Sequence, residues 1–147
     1  TYLFAGSPLL ANSQMGAFYP LNWIFWAFSG TAGTAVARAL HGSVLLHAAL
    51  AGVNLAWLAK RLGYRHLGAV LAGLLYVGSG FLGVHVEHLN QLQALAWLPL
   101  VLLPWHRTGD GDTAGLPGAT AVSALALILL AGHTQSAFIA VLKSEND

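Results

Sequence analysis

The sequence contains no cysteine. Disulfide bridges and thiol chemistry are therefore excluded, and no redox compartment can be read from it. Charge is nearly as scarce. Asp, Glu, Lys and Arg make up 7% of the residues, against about 25% in an ordinary soluble domain. The formal net charge is +1, and no strong basic cluster accompanies it, so nucleic acid is not an expected partner. A glycine-rich phosphate loop, a Ser nucleophile motif and a His-Glu-x-x-His zinc motif are also missing, which argues against soluble nucleotide chemistry. No Met and no basic segment precede an apolar core at the start, so no signal peptide is read. With Thr1 at one end and Lys143-Ser144-Glu145-Asn146-Asp147 at the other, we read the chain as an internal piece of a longer membrane protein.

What is present is mostly hydrocarbon. Hydrophobic residues make up 56% of the 147 residues, and the mean hydropathy is +0.66. A soluble chain this short could not bury that much apolar surface. The residues also fall in long runs, which makes a bilayer the natural solvent. The expected fold is all-α: a polytopic transmembrane helical bundle fragment with three to four spans and an interfacial helix. Residues 1–33 form an extracytoplasmic loop, interrupted by Gly6-Ser7-Pro8 and Ala11-Asn12-Ser13-Gln14, which are turn formers. Pro20 then opens a short helix bearing Trp23, Phe25, Trp26 and Phe28, suited to the headgroup zone; an ordinary core helix is the alternative.

The transmembrane part, residues 34–147, places spans at about 34–59, 67–84, 89–105 and 119–142. Small residues at Ala69/Gly73 and Ser79/Gly83 suit close helix contact in the second span, and Pro99 should kink the third. The last stretch has two readings. It is one span, or Gly132 breaks it and a new segment starts. Lys60, Arg61, Arg65 and Arg107 fall on one side and Arg38 toward the other. By the positive-inside rule the 60–66 and 106–118 loops are cytoplasmic.

On the opposite side lies His85-Val86-Glu87-His88-Leu89-Asn90-Gln91-Leu92-Gln93. Such a polar run between apolar segments must meet water or line a cavity, because each unpaired group costs several kcal/mol in hydrocarbon. His85 and His88, three apart, share a helix face. They can ligate a divalent metal if further ligands come from elsewhere. Glu87 can hold a metal, act as a base or pair with a His. Asn12 and Gln14, and His133-Thr134-Gln135, fall on the same side. The plain alternative is a solvated loop with hydrated helix ends and interhelical hydrogen bonds. Within the first span, His41, His47 and Asn54 are expected to hydrogen-bond neighbouring helices. Haem held between His47 and His133 is a second possibility. His66 and His106 are expected to be solvated.

The run Tyr2-Leu3-Phe4-Ala5-Gly6-Ser7-Pro8-Leu9-Leu10-Ala11-Asn12-Ser13-Gln14, with Gly16-Ala17-Phe18-Tyr19-Pro20-Leu21-Asn22, resembles the YfhO-like bacterial membrane proteins. So do Gly80-Phe81 through His85 and His88 to Ala96-Trp97-Leu98-Pro99-Leu100, and Gly132-His133-Thr134-Gln135. That family is similar to the C-type (GT-C) glycosyltransferases. The resemblance implies a multi-pass protein of the bacterial cytoplasmic membrane with its site facing outside. The reaction it implies moves a sugar from a polyprenyl-phosphate donor to a cell-surface glycan or polymer. A catalytic carboxylate is implied upstream of Thr1. By position, Glu87 and His88 would be catalytic, with His85 and His88 near the donor phosphate or a divalent metal. Asn12, Gln14, Asn90, Gln91, His133 and Gln135 would bind substrate alongside His85. Two other functions compete. A transporter or channel would line a pathway with these groups, although the second span offers only Tyr76 and Ser79. A non-catalytic bundle, metal- or haem-binding, is the other.

Overall fold

The computed structural model describes residues 2–3, 7–8, 15–28, 33–103, 116–136 and 138. A minimal antiparallel ladder pairs β1 (Tyr2–Leu3) with β2 (Ser7–Pro8). Helices follow: α1 (Pro20–Phe28), α2 (Gly33–Arg61), α3 (His66–Val77), α4 (Gly80–Val84), a 3-10 turn (His85–Glu87), α5 (Leu89–Val101) and α6 (Leu116–Leu130). The expected all-α class stands.

The 29-residue α2 is the spine. It is rich in alanine, the residue with the highest helix propensity. Lys60 and Arg61 occupy its last turn, where cations complement the helix dipole. Gly63 then adopts φ 89°. Its N–H bonds Lys60 O at 3.1 Å and the Tyr64 N–H bonds Ala59 O at 3.1 Å, the paired bonds of a Schellman ending. The chain therefore reverses within a few residues, and α3 returns antiparallel to α2. A Cβ added at Gly73 would collide with Gly52 O, and one at Gly52 would sit 2.8 Å from Val77 Cγ2. The expected Ala69/Gly73 pair thus does bring helices together, since both residues are buried. The Ser79/Gly83 pair does not. Ser79 caps α4, accepting the Leu82 N–H at 3.3 Å, and a Cβ on Gly83 would meet nothing within 4 Å.

Two apolar stretches, Gly33–Arg61 and His66–Glu87, are long enough to cross a membrane. The second is interrupted at Gly78, which ends α3, and Ser79, which starts α4. Only 33% and 17% of their apolar windows are buried inside the protein. Leu67, Val70, Leu71, Leu74 and Leu75 of α3 are all exposed. The core helix of a soluble protein hides such residues, and an uncovered apolar face this size needs lipid or another chain. The other expected spans are shorter in the structure. At 13 and 15 residues, α5 and α6 are about 20 Å and 22 Å long, less than the roughly 30 Å of a hydrocarbon core. Residues 104–115, which include Pro104, Trp105 and the expected polar loop, lie outside the described residues. The question at Gly132 is answered by its backbone. It takes φ 87°, α6 stops at Leu130, and a new helical turn begins at Thr134. A helix continuous over 119–142 is therefore excluded, and residues 139–147, where the alternative places a new segment, lie outside the described residues.

Pro99 sits inside α5. It has no N–H to give the carbonyl four residues back, which is that of Leu95. Tyr76 OH of α3 donates to Leu95 O at 3.1 Å instead. Asn54 of α2 donates to the next carbonyl, Ala96 O, at 2.8 Å. Two polar residues inside apolar helices are thereby accounted for: they satisfy backbone groups beside the proline, as hydrocarbon requires. Around this seam Ala51, Leu82, Leu92 and Ala96 form one core cluster. Leu58, Leu100, Val101, Ala124 and Ile128 belong to a second, which ties in α6.

Candidate functional site

The topology carries the chain end to end. The 60–66 turn lies at one end of the bundle. The 3-10 turn, the start of α5 and the end of α6 lie at the other, so His85, Glu87, His88 and His133 share a rim. The imidazoles are close enough to act on one another. Burial holds His133 below its ordinary pKa, and positive charge on His85 and His88 pushes it the same way. Both partners of the His133 ring are local. Ser136 N–H (3.2 Å) and Ser136 Oγ (2.7 Å) meet its Nδ1, so Nδ1 accepts and the proton resides on Nε2. His85 is opposite in tautomer. Its Nδ1–H donates to Phe81 O, which leaves Nε2 as an acceptor, and the ring stacks on Phe81 with centroids 4.5 Å apart. His88 and Glu87 are exposed. The rim therefore offers both donor and acceptor nitrogens to a ligand.

Asn90 Oδ1 accepts the Gln91 N–H at 2.9 Å, a local helix-start bond. Gln135 is exposed. Asn12 and Gln14 lie outside the described residues. Among the described residues no three His, Asp or Glu side chains gather to hold a metal ion. The two imidazoles of His85 and His88 thus fall short of the three protein ligands usual in a catalytic zinc site.

Beneath the rim the structure assembles a polar network. Trp97 Nε1–H donates to Tyr19 OH at 2.7 Å. Tyr19 OH is 2.8 Å from His47 Nε2, and His47 Nδ1 is 2.7 Å from Ser43 O. A carbonyl can only accept, so His47 carries its proton on Nδ1. Its Nε2 accepts from Tyr19, whose oxygen accepts from Trp97. Tyr19 and His47 are both 0% exposed. Burial pushes the Tyr19 hydroxyl up to about 12, partly offset by the Trp97 bond. Beside it, Gln93 Nε2 donates to Asn22 Oδ1 at 2.7 Å, and Asn22 Nδ2 donates to Gly16 O at 3.2 Å. Gly16 adopts φ 54°, and a Cβ there would sit 3.2 Å from Ala131 O. The segment from Gly16 to Asn22 is thus fastened to α2, α5 and the end of α6. Among the described residues no buried side-chain nitrogen or oxygen lacks a partner.

This network corrects two expectations. His47 does find a hydrogen bond, but to the segment before α1 and to its own helix. The haem pairing of His47 with His133 fails, because His47 Nε2 is enclosed and already bonded to Tyr19. The aromatic rings of α1 are largely exposed, with Trp23 and Trp26 at 53%, so α1 is not an ordinary core helix. Between α1 and α2 lies a cavity of about 220 Å³ lined by Met15, Asn22, Phe25, Leu40, Ser43 and Leu89. Leu89 follows His88 directly, so this largely apolar cavity abuts the histidine rim. No family model, curated protein or solved structure matches the chain.

Proposed function

We propose that the chain is part of an integral membrane glycosyltransferase of the GT-C kind. It would transfer a sugar from a polyprenyl-phosphate donor to a cell-surface acceptor on the outer face of the bacterial cytoplasmic membrane. The observation that carries this reading is the placement of His85, His88 and His133 at one end of the bundle, opposite Lys60, Arg61 and Arg65. A sugar–phosphate bond breaks with negative charge growing on the leaving phosphate. Imidazolium and N–H donors placed there stabilise that charge. Glu87, the one carboxylate at the rim among the described residues, suits the removal of a proton from an acceptor hydroxyl. The sequence motifs shared with the YfhO-like proteins point the same way. In this reading α5 and α6 complete a multi-pass bundle despite their length.

A transport pathway would need polar groups through the full thickness. Asn54 and Tyr76, the natural candidates, are instead engaged with Ala96 O and Leu95 O. The decisive experiment replaces Glu87 or His88 by Ala in the full-length parent and measures surface glycan modification alongside membrane insertion. Loss of modification with normal insertion is the expected result. Normal modification in both variants removes the catalytic assignment.

A further inference from the structure

The other end of the bundle carries a recess that the proposed reaction does not use. Lys60, Tyr64, Arg65 and His66 line it together with Leu67 and Leu71, and it is an open recess of about 960 Å³. Arg61 stands beside it, its guanidinium 5.8 Å from the Trp57 ring centroid. The Schellman turn at Gly63 brings the last turn of α2 and the first turn of α3 side by side, so their cations gather at one place. Among the described residues no carboxylate neutralises them; Lys60 Nζ donates to the Tyr64 carbonyl at 3.3 Å. The first turn of α3 has no acidic residue, and Arg65 at its N-cap makes no side-chain cap bond. A cation at a helix start opposes the helix dipole. Glu87, the sole acidic residue among the described ones, is at the opposite rim. The same recess is apolar on its α3 side, where Leu67 is 73% and Leu71 49% exposed.

A positive mouth joined to an apolar wall matches an amphiphile with an anionic head. We propose that this recess binds the phosphate of an anionic phospholipid, with Lys60 and Arg65 on the phosphate oxygens and Leu67 and Leu71 against the adjoining methylenes. The inference rests on α2 and α3 crossing a membrane. Free phosphate would share the charged contacts but leave the leucines uncovered. Each basic side chain beside an anionic lipid is worth about a fivefold change in binding.

The test is native mass spectrometry of the full chain in neutral detergent, titrated with dioleoyl phosphatidylglycerol, dioleoyl phosphatidylcholine or inorganic phosphate. Phosphatidylglycerol should be retained in preference to phosphatidylcholine. Lys60→Gln with Arg65→Gln should weaken phosphatidylglycerol binding about 25-fold and leave phosphatidylcholine unchanged. Arg38→Gln, at the other end of α2, should have no effect. Equal retention of the two lipids, or an unchanged double variant, overturns the proposal. Displacement of the lipid by millimolar inorganic phosphate overturns the lipid as occupant. Alkaline carbonate extraction separates the two layers of the argument. A chain released from membranes refutes the spanning reading and the lipid site with it. A chain retained without lipid preference refutes the lipid site alone.

Discussion

Replacing Tyr19 by Phe tests the network beneath the rim. The ring stays, so little apolar burial is lost, and only the hydroxyl goes. Two groups then lose their partner at once: the buried His47 Nε2 lone pair, 2.8 Å away, and the half-buried Trp97 Nε1–H, 2.7 Å away. Orphaning a buried group costs about 1–3 kcal/mol, and the half-buried indole N–H recovers part of its loss from water, so the variant should lose about 1–4 kcal/mol. The assay is reversible unfolding in mixed micelles followed by circular dichroism, on the parent, Tyr19→Phe, Trp97→Phe and the double variant. Trp97→Phe leaves Tyr19 still donating to His47. The cycle should therefore return a coupling of at least about 1 kcal/mol between positions 19 and 97. A Tyr19→Phe variant within about 0.5 kcal/mol of the parent, without coupling, would refute the reasoning. The parent should also show an alkaline limb. Because the folded hydroxyl titrates at about 12 and an unfolded tyrosine near 10, the native state holds the extra proton between those values. Stability from this group is complete below about pH 10 and is lost as pH rises toward about 12. The limb should shrink in Tyr19→Phe.

Tyr76→Phe should cost about 1–3 kcal/mol in the parent by orphaning Leu95 O. The cost should be markedly smaller in a Pro99→Ala background, where residue 99 regains the N–H that carbonyl lacks; equal costs in both backgrounds would sink the assignment. For His133, burial and the positive charge of His85 and His88 depress the pKa, so its stabilising contribution is present above the ordinary value of about 6.5 and is lost as pH falls below it. Its imidazole resonance should titrate below that value, and should move upward in His85→Ala with His88→Ala, though not fully, since burial remains. An unmoved midpoint would mean that the three rings do not share a rim.

Much of this architecture was legible in the residues. Long apolar runs with few charges announce membrane-type helices, because hydrocarbon tolerates no unpaired backbone. Gly63 and Gly132 mark helix ends, because the left-handed conformation there suits a residue without Cβ. The placement of His85 to Gln93 and of His133 at helix termini also follows from local pattern. Gly78-Ser79 was harder to read. Its break lies within one apolar run, and hydropathy does not register a cap bond such as Leu82 N–H to Ser79 Oγ.

Partner choice was not legible. Periodicity assigns a side chain to a helix face, but it does not say what meets that face. Tyr19 finds His47 across 28 residues and Trp97 across 78, and Gln93 finds Asn22 across 71. Those distances are closed by the packing of α2 against α5, where Asn54 donates to Ala96 O beside Pro99. Composition and local pattern thus pointed to helices long and apolar enough for a bilayer and to turns such as the one at Gly132, but not to the break at Gly78-Ser79. Tertiary packing alone decided that Gln93, from the polar cluster, and His47, from mid-helix, became buried struts, while His85, His88 and His133 stayed together at the rim. A buried polar group must bond whatever the fold brings within reach, and only the fold determines what that is.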